Sequence, residues 1–276
     1  MMNRQIDRKK VVSKAKRLGA DLVGIAPISR WEEYGDLPRE YHPGNVWPAA
    51  KSVIVLGLPV WLPVVETAPS NMGREIYDTV NLLLDQTAYK LAAYLNLNGL
   101  PAINVPRDGY GDAEMLLTKP FAPFSHVWAA KYAGLGTVGW NHVLLTPKYG
   151  PRVRLVSVLC GAELKADAVL KEDFCTRCML CRKNCPVDAI TGDERYARLD
   201  RSACAGNGIK LRQVCRNPCN RCIKVCPVGA DRKLFGSVNV GKYFDRTKAD
   251  EAELAAWEHI RSHGGRCLER EDKKNE

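Results

Sequence analysis

The sequence predicts an α+β protein in two parts, a layered body followed by a small cysteine-rich module. Two observations carry that reading. Helical and extended patterns alternate through about the first 160 residues, as a packed sheet with covering helices requires. Beyond them lie two cysteine runs: CTRCMLCRKNCP, with Cys175, Cys178, Cys181 and Cys185, and CNRCIKVCP, with Cys219, Cys222 and Cys226. A chain of 276 residues with 46% hydrophobic composition can bury a sizeable core, and a cysteine module of this kind needs only its last third.

In chain order, residues 4 to 18 read as a basic amphipathic helix with Ile6, Val11, Ala15 and Leu18 on one side and Gly19 as its C-cap. ADLVGIAP reads as a strand stopped by Pro27. An irregular passage from Trp31 to Pro48 leads to SVIVLGLPV, a buried strand. The strongest helical pattern runs from about Glu75 to Leu97, where Ile76, Val80, Leu83, Leu84, Thr87, Leu91, Tyr94 and Leu95 fall at steps of three and four. Asn98 and Gly99 end it. LPAINVP is a further strand and RDGYGD a polar turn. Tyr77, Tyr89 and Tyr94 are read as core or rim packing.

FSHVWAAKYA reads as helix and VLLTP as extended chain, with Gly134, Gly136 and Gly139 between them as a literal G-x-G-x-x-G. A dinucleotide fingerprint needs a strand before that loop and a helix after it, so this reversed order argues against a nucleotide site. The glycines instead suggest a helix C-cap running into backbone that something flat or bulky can approach closely.

The cysteine spacing carries the chemistry. C-x2-C-x2-C-x3-C-P is the pattern of two-cluster [4Fe-4S] modules, in which the cysteine before proline serves the other cluster. Cys226 should therefore complete the site of Cys175, Cys178 and Cys181, while Cys185 joins Cys219 and Cys222. The fourth ligand of that second site is either Cys204 or Cys215, and a strict repeat would put it at Arg216. Zinc sites usually show two C-x2-C pairs without the third close thiolate or the Cys-Pro ending, and a disulfide framework belongs to small secreted domains. Eleven cysteines exceed eight ligands by three, namely Cys160, Cys267 and whichever of Cys204 and Cys215 is not used. Spare thiols beside iron ligation imply a reducing compartment.

MMNRQIDRKK is followed by no apolar stretch and contains no twin arginine, and VIVLGLPVWLPVV is too short to cross a bilayer and holds Pro59 and Pro63. The expectation is a cytoplasmic protein with no membrane partner. A formal charge of +10 suggests an acidic partner, either nucleic acid or an electron donor. The basic clusters lack interleaved aromatics, so they read as solvated faces.

AAKYAGLGTVGW, LLTPKYGPRVRL, ARLDRSAC and PCNRCIKVCP, together with RLGADLVGIAP and AAKSVIVLGLPV, resemble the corrinoid and iron–sulfur reductases that include the epoxyqueuosine reductases and the reductive dehalogenases. The resemblance reaches to about residue 230. It implies a nitroreductase-like α/β domain that holds a corrinoid base-off, followed by a ferredoxin-like two-cluster [4Fe-4S] module feeding electrons to cobalt. It also implies Cys204 as the eighth ligand. Boundaries follow at 1–165, 166–246 and 247–276, the last a helix over 250–262 with a charged tail. The corrinoid is expected against Gly134, Gly136, Gly139, Asn141 and Pro218.

The chain departs from that family in informative places. The acidic proton donor of epoxyqueuosine reductases falls by spacing at Pro120, leaving Tyr110 and His126 as substitutes, with Asp108 and Asp112 nearby. The lysine and histidine usual after the glycine loop are Trp140 and Asn141, and the helical-repeat extension is not matched. The implied activity is reduction of a small-molecule substrate with electrons from a low-potential ferredoxin or flavodoxin. Pro120 and the missing extension disfavour tRNA. The alternative is a non-catalytic electron-transfer or corrinoid-handling iron–sulfur protein.

Overall fold

The computed structural model describes residues 7–108, 114–119, 122–193 and 197–263. Helix α1 (Arg8–Arg17) is capped by the Asp7 carboxylate, which accepts from the Lys10 amide at 2.9 Å, and it buries Val11 and Ala15. Strand β1 (Leu22–Pro27), the short helix α2 (Arg30–Tyr34), strand β2 (Ser52–Pro59) and helix α3 (Leu62–Thr67) follow. Helix α4 (Asn71–Leu97) starts four residues ahead of the apolar pattern, because Ser70 provides the cap by accepting from the Gly73 amide at 3.0 Å. Next come β3 (Ala102–Val105), α5 (Met115–Thr118), α6 (His126–Tyr132), the hairpin strands β4 (Thr137–Val138) and β5 (Leu144–Leu145), and β6 (Val153–Cys160).

One antiparallel sheet in the order β1-β2-β6-β3 forms the middle layer. Side chains alternate across a strand, so Ile54, Leu56, Val156 and Val158 point to the face covered by α1 and α4, while Val53, Val55, Leu155 and Leu159 point to the face covered by α6. Both faces are buried. That is why β2 and β6 read as unbroken apolar runs rather than as alternation. Trp31, Phe124 and Tyr132 fill the second face, with Trp31 edge-on to Tyr132 at 4.9 Å.

After β6 the chain enters the cysteine-bearing part, built from α7 (Leu180–Lys183), the hairpin β7 (Ile190–Gly192) and β8 (Ala197–Leu199), α8 (Arg201–Gln213), α9 (Arg221–Lys224), α10 (Asp231–Leu234) and α11 (Glu251–Ser262). The two cysteine runs fold alike. Met179 and Asn220, each directly after the first cysteine of a C-x2-C turn, adopt the left-handed conformation with φ of 58° and 52°, and each leads into a one-turn helix. Those helices, α7 and α9, pack on each other.

Buried polar contacts fasten the two parts together. Arg152, at the entry to β6, places its fully buried guanidinium on Asp231 through contacts of 2.6 and 2.7 Å and also donates to the carbonyl oxygens of Cys226 and Val228. Glu66 of α3 accepts from Ser237 and Tyr243 and pairs with Lys242 at 3.1 Å. Helix α11 lies on α3 and α4, with Trp257 stacked on Tyr243, so residues 251–262 form the expected helix as part of this packing. No helix among the described residues is long and apolar enough to cross a membrane.

Candidate iron–sulfur centres and cofactor cleft

The fold draws the cysteines into two groups that cross between the two runs. Cys175, Cys178, Cys181 and Cys226 ring one small pocket, bordered by Trp140, Asn141 and Leu145. Cys185, Cys204, Cys219 and Cys222 line part of a larger cleft. Electrostatic coupling is strongest within these groups, although Cys222 also feels Cys181 of the first. Burial pushes the Cys181 thiol up to about 11, and Cys178, Cys226 and Cys175 add to the rise. Burial likewise raises Cys222, reinforced most by Cys219 and Cys204, and Cys204 feels Cys219 and Cys185.

Burial makes Cys181, Cys204, Cys222 and Cys226 resist ionising, and a cationic iron core would reverse that by binding the thiolates. Among the described residues no three His, Cys, Asp or Glu side chains converge closely enough for a single metal ion. A cubane spreads its four thiolates over an object larger than one ion, which accommodates both observations. The Ala189 amide also donates to the Cys185 sulfur at 3.3 Å.

Cys204 reaches its group because Asp200 caps α8, accepting from the Ala203 amide at 2.8 Å, and the cysteine falls in the first turn. Cys215 borders neither pocket and is disulfide-bonded, so it is not the spare thiol expected of it, and it lends no support to a reducing compartment. Cys160 is buried in β6 within the core, and Cys267 lies outside the described residues.

The larger cleft has a volume of about 620 Å³ and opens between α4, the segment after β4 and α8. Asn141 and Pro218 line it beside Cys204. Gly134, Gly136 and Gly139 do not. A Cβ on Gly134 would sit 2.2 Å from the Ala168 carbonyl oxygen, one on Gly136 would sit 2.2 Å from that of Leu145, and one on Gly139 would sit 2.7 Å from Asn141 Oδ1. The close approach read from these glycines is therefore made by the protein's own chain, and their expected place against a cofactor is corrected accordingly.

Four residues that line the cleft each keep a polar atom without a partner behind its surface: Asn81 Nδ2, Asn141 Oδ1, His142 Nε2 and Asn217 Oδ1. A second cavity of about 360 Å³ shares the wall formed by Tyr77, Arg107, Asp108 and Arg154 and runs in to Phe124 and His126. Arg154 lies over the Tyr77 ring at 4.5 Å and donates through Nε to Asn81 Oδ1 at 2.9 Å. Asp108 pairs with Arg107 and Arg154 at 3.3 and 3.8 Å, so its carboxylate is engaged.

His126 reaches the second cavity but is tied at both ends. Its Nε2 lies 3.0 Å from the Pro106 carbonyl oxygen, which can only accept, so that nitrogen carries the proton, while Nδ1 accepts from Ser157 Oγ at 2.9 Å. Burial pulls its pKa down to about 4. A neutral ring with both nitrogens occupied joins β6 to the end of β3 and has no proton to spare, which removes the acid role expected of it. Tyr110, Asp112 and Pro120 lie outside the described residues.

Sequence reading passed over Asn81, which interrupts the apolar face of α4 between Val80 and Leu84, and that interruption was the available signal. It also passed over Gly208 and Asn217, and it set Tyr77 down as packing.

A 4Fe-4S binding domain model matches residues 168–191. The chain is an iron–sulfur protein of mixed α/β fold, and its homologues are reductive dehalogenases and epoxyqueuosine reductases. The tetrachloroethene reductive dehalogenase of Dehalobacter restrictus is 30% identical over 230 residues, 68% of this chain and 39% of that protein. The epoxyqueuosine reductase of Pseudomonas aeruginosa is 26% identical over 196 residues, 67% of this chain and 48% of that protein. Among solved structures, a catabolic reductive dehalogenase in complex with 3-bromo-4-hydroxybenzoic acid superposes with a TM-score of 0.62 at 21% identity, covering 94% of this chain and 37% of the other. An epoxyqueuosine reductase with a modified tRNA stem loop gives a TM-score of 0.54 at 17% identity, covering 80% and 64%. The chain spans about half the length of the curated relatives it matches, or less.

Proposed function

We propose that the protein is a corrinoid-dependent reductase with two [4Fe-4S] clusters, one held by Cys175, Cys178, Cys181 and Cys226 and the other by Cys185, Cys204, Cys219 and Cys222. The observation that carries this is the continuity of the second cysteine group with the 620 Å³ cleft, because an electron relay must end at the wall of the site it serves. Asn81, Asn141 and Asn217 place amide-bearing residues along the cleft wall, a lining that suits a ligand fringed with carboxamides, as a corrinoid is. Asn141 and Pro218 would border it. When bound, a corrinoid supplies a cobalt centre that converts single electrons into a two-electron reduction.

In this reading residues 1–165 form the nitroreductase-like domain, 166–246 the two-cluster module and 247–276 its C-terminal helix and tail. A small substrate occupies the second cavity, with Tyr77 and Arg154 at its mouth. A low-potential cytoplasmic carrier of the ferredoxin or flavodoxin kind supplies electrons at the first cysteine group, where Cys178 is exposed.

The deciding experiment is an iron and cobalt count with an absorption spectrum on anaerobically reconstituted protein supplied with cobalamin. Iron for two clusters without cobalt uptake refutes the corrinoid. That outcome favours an electron-transfer protein on this scaffold, a reading supported by the fully engaged His126.

A further inference from the structure

A further cavity, of about 200 Å³, lies between α9 and α11 and shares no lining residue with the cleft, the second cavity or the small cysteine pocket. Four cations line it, Lys224, Lys242, Arg246 and Arg261, against one carboxylate, Glu258. Two of the cations are answered. Lys242 pairs with Glu66 at 3.1 Å and with Glu253, and Arg246 pairs with Glu258. The other two are held only by carbonyl oxygens at the end of α3. The buried Lys224 ammonium donates to Glu66 and Ala68, and the Arg261 guanidinium donates to Thr67 and Glu66 at 3.1 and 3.3 Å. Neither has a carboxylate partner among the described residues, and both groups have more N–H donors than these carbonyls use.

The surroundings sharpen that imbalance. Burial pulls the Arg261 pKa down, and the charges of Arg221, Arg246 and Arg216 pull it further, against Glu258 alone. Cys219 acts on Lys224, but no thiol is among the charges acting on Arg261, so negative charge on the cysteines does not answer the crowding there. The buried Trp257 gathers three of the cations, with Lys224, Lys242 and Arg261 at 5.8, 5.4 and 5.8 Å from its ring. A ring face orients cations without neutralising them.

We propose that this cavity binds a small multivalent oxyanion of the phosphate class, gripped by the Arg261 guanidinium and the Lys224 ammonium, with the exposed Arg246 closing the outer side. The planar fork of an arginine matches two oxygens of such an ion, and an ammonium adds a point charge. The volume is below the roughly 300 Å³ at which pockets for drug-sized ligands begin, so the occupant is small. The site is independent of the corrinoid reading and does not stand or fall with it.

The test is equilibrium dialysis of anaerobically reconstituted full-length protein against radiolabelled inorganic phosphate, at fixed ionic strength set with chloride and with iron content as the control. The wild type should take up phosphate saturably, and sulfate should compete. Arg261→Gln keeps an N–H for the Thr67 carbonyl and removes the charge, so it should weaken binding about tenfold or more. Because Arg261 also fastens α11 to α3, two exposed positions keep the test sound if that variant misfolds. Arg246→Gln should weaken binding about threefold, and Glu258→Gln, which removes the cavity's carboxylate and frees Arg246, should tighten it by about the same factor. A merely structural role for these charges gives no tightening. Methyl phosphate displacing the label more strongly than unlabelled phosphate assigns an ester as the ligand, and weaker displacement assigns the free ion; both uphold the site. No saturable uptake by the wild type, or uptake that Arg246→Gln and Glu258→Gln leave unchanged, overturns the proposal.

Discussion

Replacing His126 by glutamine tests whether the buried imidazole is a neutral tie rather than an acid. Glutamine can accept from Ser157 and donate to Pro106, as the ring does, but it does not titrate. Burial holds the folded-state pKa of His126 near about 4 against 6.5 for an exposed histidine. Between those values the unfolded chain binds the proton and the folded chain does not, so stability falls as pH falls through that window. At about pH 7 both states are neutral and the penalty is close to zero. At about pH 5 the unfolded state is largely protonated, and the shift costs the folded protein about 2 kcal/mol, rising to about 3 kcal/mol near pH 4. Urea denaturation of anaerobic wild type and His126→Gln, run at both of the higher pH values, isolates this contribution because every other acid-sensitive group is common to the two proteins. The wild type should lose about 2 kcal/mol more than the variant on going from pH 7 to pH 5. Equal losses would show that His126 titrates near its ordinary value, and the neutral tie would be refuted.

Cys204→Ser should cost about half of the iron while Cys215→Ser leaves it intact, since each cubane needs its fourth thiolate; an iron assay showing the reverse exchanges the two assignments. Arg152→Met strands the buried Asp231 carboxylate, and chemical denaturation should show a loss of about 3–5 kcal/mol, much of it recovered when Asp231→Leu is added. Gly136→Val should reduce soluble, folded protein rather than cofactor uptake alone, because its Cβ would meet the Leu145 carbonyl at 2.2 Å; a folded variant that has lost only cobalamin would return the glycine loop to the cofactor.

Legibility in the sequence followed how local each feature is. The strands β1, β2, β3 and β6 and the helix α4 were legible because strand spacing and helical periodicity act within a few residues. The crossing of Cys226 and Cys185 between groups was legible only through the known logic of the repeat. The glycine loop was misread for a physical reason: a glycine reports that something comes close, but not whether that something is a ligand or Ala168 and Leu145 of the same chain. His126 looked available because a sequence shows a titratable ring without its partners, and here Ser157 and Pro106 lie on other elements. Asn81 was hidden inside a helix whose remaining pattern is apolar, and its place beside the cleft appears only once the fold brings α4 and α8 together.

The basic balance of the chain acquires a second explanation from the buried cations around the cysteines. Lys224, between Cys222 and Cys226 in sequence, donates to the carbonyl oxygens of Glu66 and Ala68. Arg232 is buried as well and donates to the carbonyl oxygens of Cys226, Lys224 and Ser237 and to the Tyr243 hydroxyl. Neither has a carboxylate partner among the described residues, whereas the equally buried Arg152 has Asp231. Burying a cation without an anion is strongly unfavourable, and burial pulls the Lys224 pKa down to about 7, so negative charge at Cys219 beside Lys224 and at Cys226 beside Arg232 would favour both cations. A [4Fe-4S] core bound by four thiolates is such a charge. On the cluster reading proposed above, part of the net +10 would answer that charge from inside and would not be available to attract nucleic acid. An acidic electron donor or a tRNA would therefore have to be recognised by the exposed cations alone, such as Arg177, Arg182 and Lys183 around the first cysteine group, and Arg177 already shares its charge with Asp173 at 3.9 Å.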